Sequence, residues 1–254
     1  MKLLRSFLIF LSLIGAALAA AGPAVAQSVP EAFWNELRRD NESAVQTWLL
    51  RGIDVNAMHP QHGPAIVYAA RERSWRSVRM LAGLTGTRID APNPQGETAL
   101  MLAALHGEPE TMKLLIARGA EVNRPGWTPL HYAASGGHTE IVRYLLEQSA
   151  YIDAQSPNRT TPLMMAARQQ HVSTVKLLIE AGADPTPRND AGLDAASYMQ
   201  RLGETELAAW LRERAADYER RYGTLERPRT VESIEAQKRP SPRPAQPQLP
   251  GVRN

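Results

Sequence analysis

The heptapeptide Thr128–Ala134 reads TPLHYAA, and its pattern returns at Thr161–Ala167 as TPLMMAA. It stands upstream at Thr98–Ala104 (TALMLAA) and, in degenerate form, at Pro64–Ala70 (PAIVYAA). Downstream, Asp194–Gln200 (DAASYMQ) keeps the same register. Successive copies begin about 30–34 residues apart, inside the range of roughly 20–50 residues that marks solenoids and arrays. A period of this length admits few architectures. One repeat is too small to bury its own apolar face, so neighbours must stack into a quasi-one-dimensional array.

The residues inside the period say what is stacked. Thr128 and Thr161 suit a helix N-cap, and the proline after each sits at the first helical position, where its missing N–H is not needed. Gly107 and Gly137 can adopt the left-handed conformation that ends a first helix. A second helix over 140–147 places Ile141 and Leu145 on one face. Ala103-Ala104, Ala133-Ala134 and Ala166-Ala167 let the first helices of adjacent repeats approach closely. Aromatic residues make up only 6% of the chain, so the core rests on Ala, Leu, Val and Met.

Further pieces repeat in register. Residues 119–123 read GAEVN, 182–185 read GADP, and 137–146 read GHTEIVRYLL. With the TPLH heptad, these resemble the ankyrin-repeat family over residues 30–216. The resemblance implies an all-α ankyrin-repeat solenoid of about five to six helix-turn-helix repeats with hairpin loops, capped at both ends. The first unit, 31–52, carries Arg38, Arg39 and Asp40 where other repeats carry Ala-Ala. At the far end, Glu204–Tyr222 reads as one long helix with Leu207, Trp210, Leu211 and Tyr218 turned inward. Two departures stand out. Arg73 and Trp75 replace small residues at a helix junction. The loop 123–127 is three residues shorter than its neighbours, which predicts a truncated finger, a notch in the finger row and an exposed Trp127.

The ends are of other kinds. Lys2 and Arg5, an apolar run from Ser6 to Leu18, Gly22-Pro23 and Ala24-Val25-Ala26 read as a signal peptide, residues 1–26, cleaved before Gln27. The alternative is an uncleaved anchor, since about 20 apolar residues span a bilayer. Export to the periplasm of a Gram-negative bacterium is the expectation, with inner-membrane anchoring or secretion as alternatives; after cleavage no membrane insertion is expected. Residues 223–254 are Pro- and Arg-rich without apolar periodicity, which predicts a disordered tail.

Charge and motif content narrow the function. The formal net charge is +3, but from Asp217 onward the chain holds eight Lys/Arg against five acids, and Lys2 and Arg5 add two more cations. The body between is slightly acidic and lacks the basic footprint of a nucleic-acid binder. No cysteine occurs, which excludes disulfides and thiolate chemistry. No phosphate-binding loop, nucleophile elbow or zinc-protease motif is present. His59 and His62 share one loop without an acid or cysteine nearby to complete a metal set. The resemblance gives His131 a structural role within TPLH and places His138 and His171 at second-helix starts. No cofactor, metal or catalytic residue is expected.

The resemblance implies a concave binding face made of the residues after Ala-Ala and the finger tips. Here these are Arg71, Glu72, Leu105, His106, Ser135, Gly136, Arg168 and Gln169, with Met58, His59, Asn93, Gln95, Arg124, Trp127, Asn158 and Arg159 on the fingers. Trp127, Arg168 and Arg71 are the residue types that anchor interfaces. The expected function is that of a non-enzymatic, monomeric adaptor that binds another protein. Two narrower readings follow from resemblance: support of a periplasmic oxidative-stress enzyme such as catalase, and a secreted effector acting on host proteins.

Overall fold

The computed structural model describes residues 29–223. The signal-peptide segment and the tail beyond Gly223 lie outside the described residues. In chain order come α1 (Glu31–Arg38), α2 (Glu42–Leu50), a short hairpin of β1 (Met58–His59) and β2 (Gly63–Pro64), α3 (Ala65–Arg71) and α4 (Trp75–Gly83). Then follow α5 (Ala99–His106), α6 (Pro109–Ala117), α7 (Pro129–Gly136), α8 (Thr139–Glu147), α9 (Pro162–Arg168), α10 (Val172–Glu180), α11 (Ala195–Arg201) and α12 (Thr205–Tyr222). Odd-numbered helices form an inner row in which each packs on the next, and each even-numbered helix packs behind its own inner partner. The described residues thus hold six helix pairs.

Small residues set the closeness of the inner row. Ala69, Ala70, Ala103, Ala104, Ala133, Ala134, Ala166 and Ala167 are all fully buried. Leu100, Leu130 and Leu163 fill the same layer from the start of each inner helix. Capping starts these helices as their sequences require: Thr98, Thr161 and Asp194 accept from Met101 N–H at 3.4 Å, Met164 N–H at 3.3 Å and Ser197 N–H at 2.7 Å.

Two sets of polar contacts repeat with the helices. Asn56, Asp90, Asn123 and Asp153 each accept, through side-chain oxygen, a backbone N–H of the next repeat: Arg88 at 2.7 Å, Glu121 at 3.0 Å, Tyr151 at 2.8 Å and Asp184 at 2.9 Å. In the fingers, Asn93, Ser156 and Asn189 donate backbone N–H to the carbonyls of Glu97, Thr160 and Leu193 at 2.9–3.0 Å. The third finger is short because Asn123, spent on the inter-repeat bond, lies only five residues before Thr128. The corresponding Asp90 and Asp153 lie eight before Thr98 and Thr161.

The ends correct two expectations. In the first repeat, Asp40 adopts a left-handed φ of 53°, the place held by Gly107 (74°) and Gly137 (73°), so Arg38 aligns with Arg71. Glu36-Leu37, not Arg38-Arg39, therefore replace Ala-Ala. Along α12, only Ala208 and Leu211 are fully buried; Leu207, Trp210 and Tyr218 are half-buried, because a last helix has a neighbour on one side only. The helix itself runs from Thr205 to Tyr222 as one element, in line with the sequence expectation.

Candidate functional site

The expected binding residues fall at the C-terminal ends of the inner helices and on the fingers, but they are not alike. Arg71 is exposed, yet its guanidinium meets Glu97 Oε2, on the finger of the next repeat, at 2.5 Å. Glu97 also accepts from Asn93 Nδ2 at 2.8 Å and from the Tyr132 hydroxyl at 3.3 Å. Burial, with the Glu97 carboxylate beside it, pushes the Tyr132 phenol up to about 12. Arg71 is thus one corner of a network tying α3, the second finger and α7. Glu97 escapes the sequence reading; its signal is an acid directly before Thr98, where Trp127 and Thr160 stand in sister repeats.

The middle of the row is half-buried and takes part in stacking. His138, the N-cap residue of α8, bonds the Leu105 carbonyl through Nε2 at 3.0 Å. His171, the N-cap residue of α10, does the same to the Ser135 carbonyl at 2.9 Å. Ser74 reaches the Arg38 carbonyl through its hydroxyl at 3.3 Å. Gly136 has no room for a side chain: a Cβ there would collide with the Leu105 carbonyl oxygen and, at 2.6 Å, with the His138 ring. Leu105, Ser135 and Gly136 therefore hold repeats together as well as lining the row. His106 lies beside Trp75, ring centroids 6.0 Å apart, and burial lowers its pKa.

Trp127 is not exposed in its shortened finger. Its indole is half-buried and meets His131 edge-on, with centroids 5.2 Å apart. With three residues missing, the chain between Asn123 and Thr128 has no room for a projecting tip, and the indole folds back onto α7. His131 beneath it is fully buried. Its Nδ1 accepts from Thr128 N–H at 3.2 Å, which leaves the proton on Nε2 to be donated to the Thr160 carbonyl at 2.9 Å. Burial lowers its pKa to about 4.

At the C-terminal half the row opens. Arg168 and Gln169 end α9, both exposed, and Gln169 only grazes the Ser135 hydroxyl at 3.5 Å. Arg201 ends α11 in the equivalent place, exposed, with Leu202 next to it 41% exposed. The sequence reading misses Arg201, although it holds in its own repeat the place that Arg168 holds in the one before. Among the finger residues Gln95, Asn158 and Arg159 are exposed, as is Met58 at 59%, whereas Asn93 is buried. Glu72 is exposed, and Arg124 is half-buried with one guanidinium nitrogen that meets no acceptor.

The first finger holds a different cluster. His59 stacks on Tyr68 with centroids 5.0 Å apart and planes 9° from parallel, lies 4.6 Å from the His62 ring, and meets Trp34 edge-on at 5.0 Å. Burial, with the neighbouring His62, lowers the His59 pKa. Among the described residues no group of three His, Asp or Glu stands together where a metal would be held, and no helix is long and apolar enough to cross a membrane.

A family model described as ankyrin repeats (three copies) matches residues 37–125 and 121–189. The chain is 33% identical over 127 residues to the tyrosine-protein kinase Shark of Drosophila melanogaster, covering 48% of the chain and 14% of that protein. It is 31% identical over 163 residues to the nuclear factor NF-kappa-B p105 subunit of Mus musculus, covering 61% of the chain and 17% of that protein. Over 66 residues it is 42% identical to the Notch-regulated ankyrin repeat-containing protein A of Danio rerio, covering 25% of the chain and 59% of that protein. The chain thus spans a minor part of the two longer relatives and somewhat more than half of the short one.

Proposed function

The chain belongs to the ankyrin-repeat family, a protein-interaction module, and on that premise we propose that it is a non-enzymatic adaptor that holds a partner protein against its inner-helix row. The carrying observation is the contrast within that row. Its middle residues are half-buried, with the Leu105 and Ser135 carbonyls taken by His138 and His171 of the next repeat, whereas Arg168, Gln169, Arg201 and Leu202 present exposed polar and apolar groups at the ends of two adjacent, packed helices. Because its backbone is already ordered in packed helices, a surface of this kind loses only side-chain entropy on binding.

The adaptor acts outside the cytoplasm, in the periplasm. Lys2, Arg5, the apolar run to Leu18 and the Ala24-Val25-Ala26 site support that placement. N-terminal sequencing of the exported protein should begin at Gln27; a chain still carrying Met1 in the membrane fraction would replace cleavage with anchoring.

A photo-crosslinking residue placed at Gln169 in the full chain tests the binding reading, with Lys176 on the outer helix α10 as control. One dominant adduct from Gln169 and none from Lys176 is the expected pattern. Equal labelling from both positions, or no adduct from either, would overturn it.

A further inference from the structure

The inner-helix row is basic although the structured segment is not. Residues 29–223 hold 21 Lys/Arg against 23 Asp/Glu. The last turns of α1, α3, α9 and α11 carry Arg38, Arg71, Arg168 and Arg201; α5 carries His106, whose pKa is lowered, and α7 carries no basic residue. The last turns of the outer helices α2, α4, α6, α8 and α10 carry no basic residue, and among the outer helices only the terminal α12 does, with Arg220 and Arg221. A cation is favourable at any helix C-terminus, so macrodipole complementarity by itself would spread arginines over both rows. Where cations do follow outer helices they are engaged: Arg51 lies over the Trp48 ring at 5.4 Å, and Arg118 donates to the Gly83 carbonyl at 3.0 Å.

Two more arginines stand where sister repeats use glycine. Arg73 has φ 59° at the place of Gly107 and Gly137, and Arg159 has φ 61° at the finger place of Gly96 and Gly192. That conformation disfavours any residue with a Cβ, so glycine would suit the backbone of both positions better. Arg38 and Arg71 are partly spent on Asn35 and Glu97. Arg159, Arg168 and Arg201 are exposed, and none of the ion pairs among the described residues includes them.

We infer that the α9–α11 half of the inner row binds an acidic, extended segment of the partner protein, an inference that rests on the adaptor reading above. Packed helices lie about 8–10 Å apart, and an extended chain advances about 3.3 Å per residue. Carboxylates three residues apart on such a segment match the step from Arg168 to Arg201. Single-stranded nucleic acid is the poorer fit, because it is held on exposed aromatic platforms as well as cations. Here Trp75 is half-buried beside His106 and Trp127 is folded onto His131.

The test is fluorescence anisotropy on the full chain with four labelled probes. They are a peptide with Glu at every third position among Gly and Ser, the same composition with its Glu residues clustered, a Gln version, and an oligothymidylate of equal charge. The spaced Glu peptide should bind most tightly, weaken with added salt, and lose about tenfold in affinity to an Arg168→Gln/Arg201→Gln variant. Lys176→Gln should leave it unchanged. Arg159→Gly should weaken the peptide while raising the urea midpoint. Equal binding of the Gln or clustered peptide, an unchanged double variant, or tighter binding of the oligothymidylate would each overturn the inference. If the peptide fails while a Gln169 crosslinker still captures a partner, the acidic segment is wrong and the adaptor reading stands. No capture at Gln169 removes both.

Discussion

His138 lies over Gly107. Its Nε2 meets the Leu105 carbonyl at 3.0 Å, and a Cβ on Gly107 would come within 2.6 Å of the ring. The same pairing recurs between His171 and Gly137, where the distance would be 2.5 Å. Left-handed stops take side chains where the next repeat does not open its second helix with histidine: Asp40, Arg73 and Gln170 hold this place, and the following second helices start after Ser74, Glu108 and Glu204. Glycine is needed at a repeat's first stop when the following repeat opens its second helix with histidine. The constraint links residues of successive repeats, which makes it a property of stacking and not of the turn itself.

That relationship predicts unequal penalties for one substitution. Gly107→Ala should lower stability by about 2 kcal/mol or more, the left-handed strain of roughly 1 kcal/mol plus the collision with His138. Gly203→Ala, at φ 84° with open space around it, should lose the strain alone. Urea unfolding of both, with Gly107→Ala/His138→Ala as the relieved pair, measures the difference. Equal losses at the two glycines would dismiss the histidine's part.

Acid should loosen the array through His131. The folded chain keeps this imidazole neutral down to about pH 4, whereas the unfolded chain protonates it near 6.5. Stability contributed by the neutral ring is therefore complete above pH 6.5 and falls as pH drops toward 4. The loss amounts to about 3 kcal/mol at most, at ~1.4 kcal/mol per pH unit. His59 and His106, also lowered, act in the same direction. Unfolding midpoints collected across this window should slope downward in the native chain and much less in His131→Gln.

The Glu97 network has an optical readout. Replacing Glu97 by Gln removes a carboxylate that helps hold the Tyr132 phenol near 12. Its ionisation, followed by ultraviolet absorbance, should move to lower pH without reaching an exposed tyrosine's value, since burial is the larger cause. Loss of the Arg71 pair and the Tyr132 bond should lower stability by about 1 kcal/mol. An unmoved Tyr132 titration would mean that Glu97 and Tyr132 are not in contact in solution.

The terminal helix should divide sharply along its length. Leu211 is fully buried against the array, and Leu211→Ala is expected to lower stability by about 2–4 kcal/mol. Tyr222, 55% exposed at the last turn, should change it by no more than about 0.5 kcal/mol on substitution by Ala. Guanidinium melts of the two variants compare them directly, and a comparable loss at Tyr222 would show that α12 docks along its whole length.

The repeat, the helix starts and stops of its central copies, the shortened third finger and the long last helix are legible in the sequence alone, whereas the left-handed stop at Asp40 in the first repeat is not. Those features rest on local chemistry: Thr and Asp caps, proline at the first helical turn, glycine at a left-handed stop, and a period that forces stacking. On the same local grounds Arg71, Arg168 and Trp127 look alike, and packing separates them. Arg71 meets Glu97 of the next repeat, Trp127 closes onto His131, and Arg168, like Arg201, stays exposed. Whether a side chain at a repeat position is spent or available depends on what the neighbouring repeat sets against it. That neighbour is close in space but a whole repeat away along the chain.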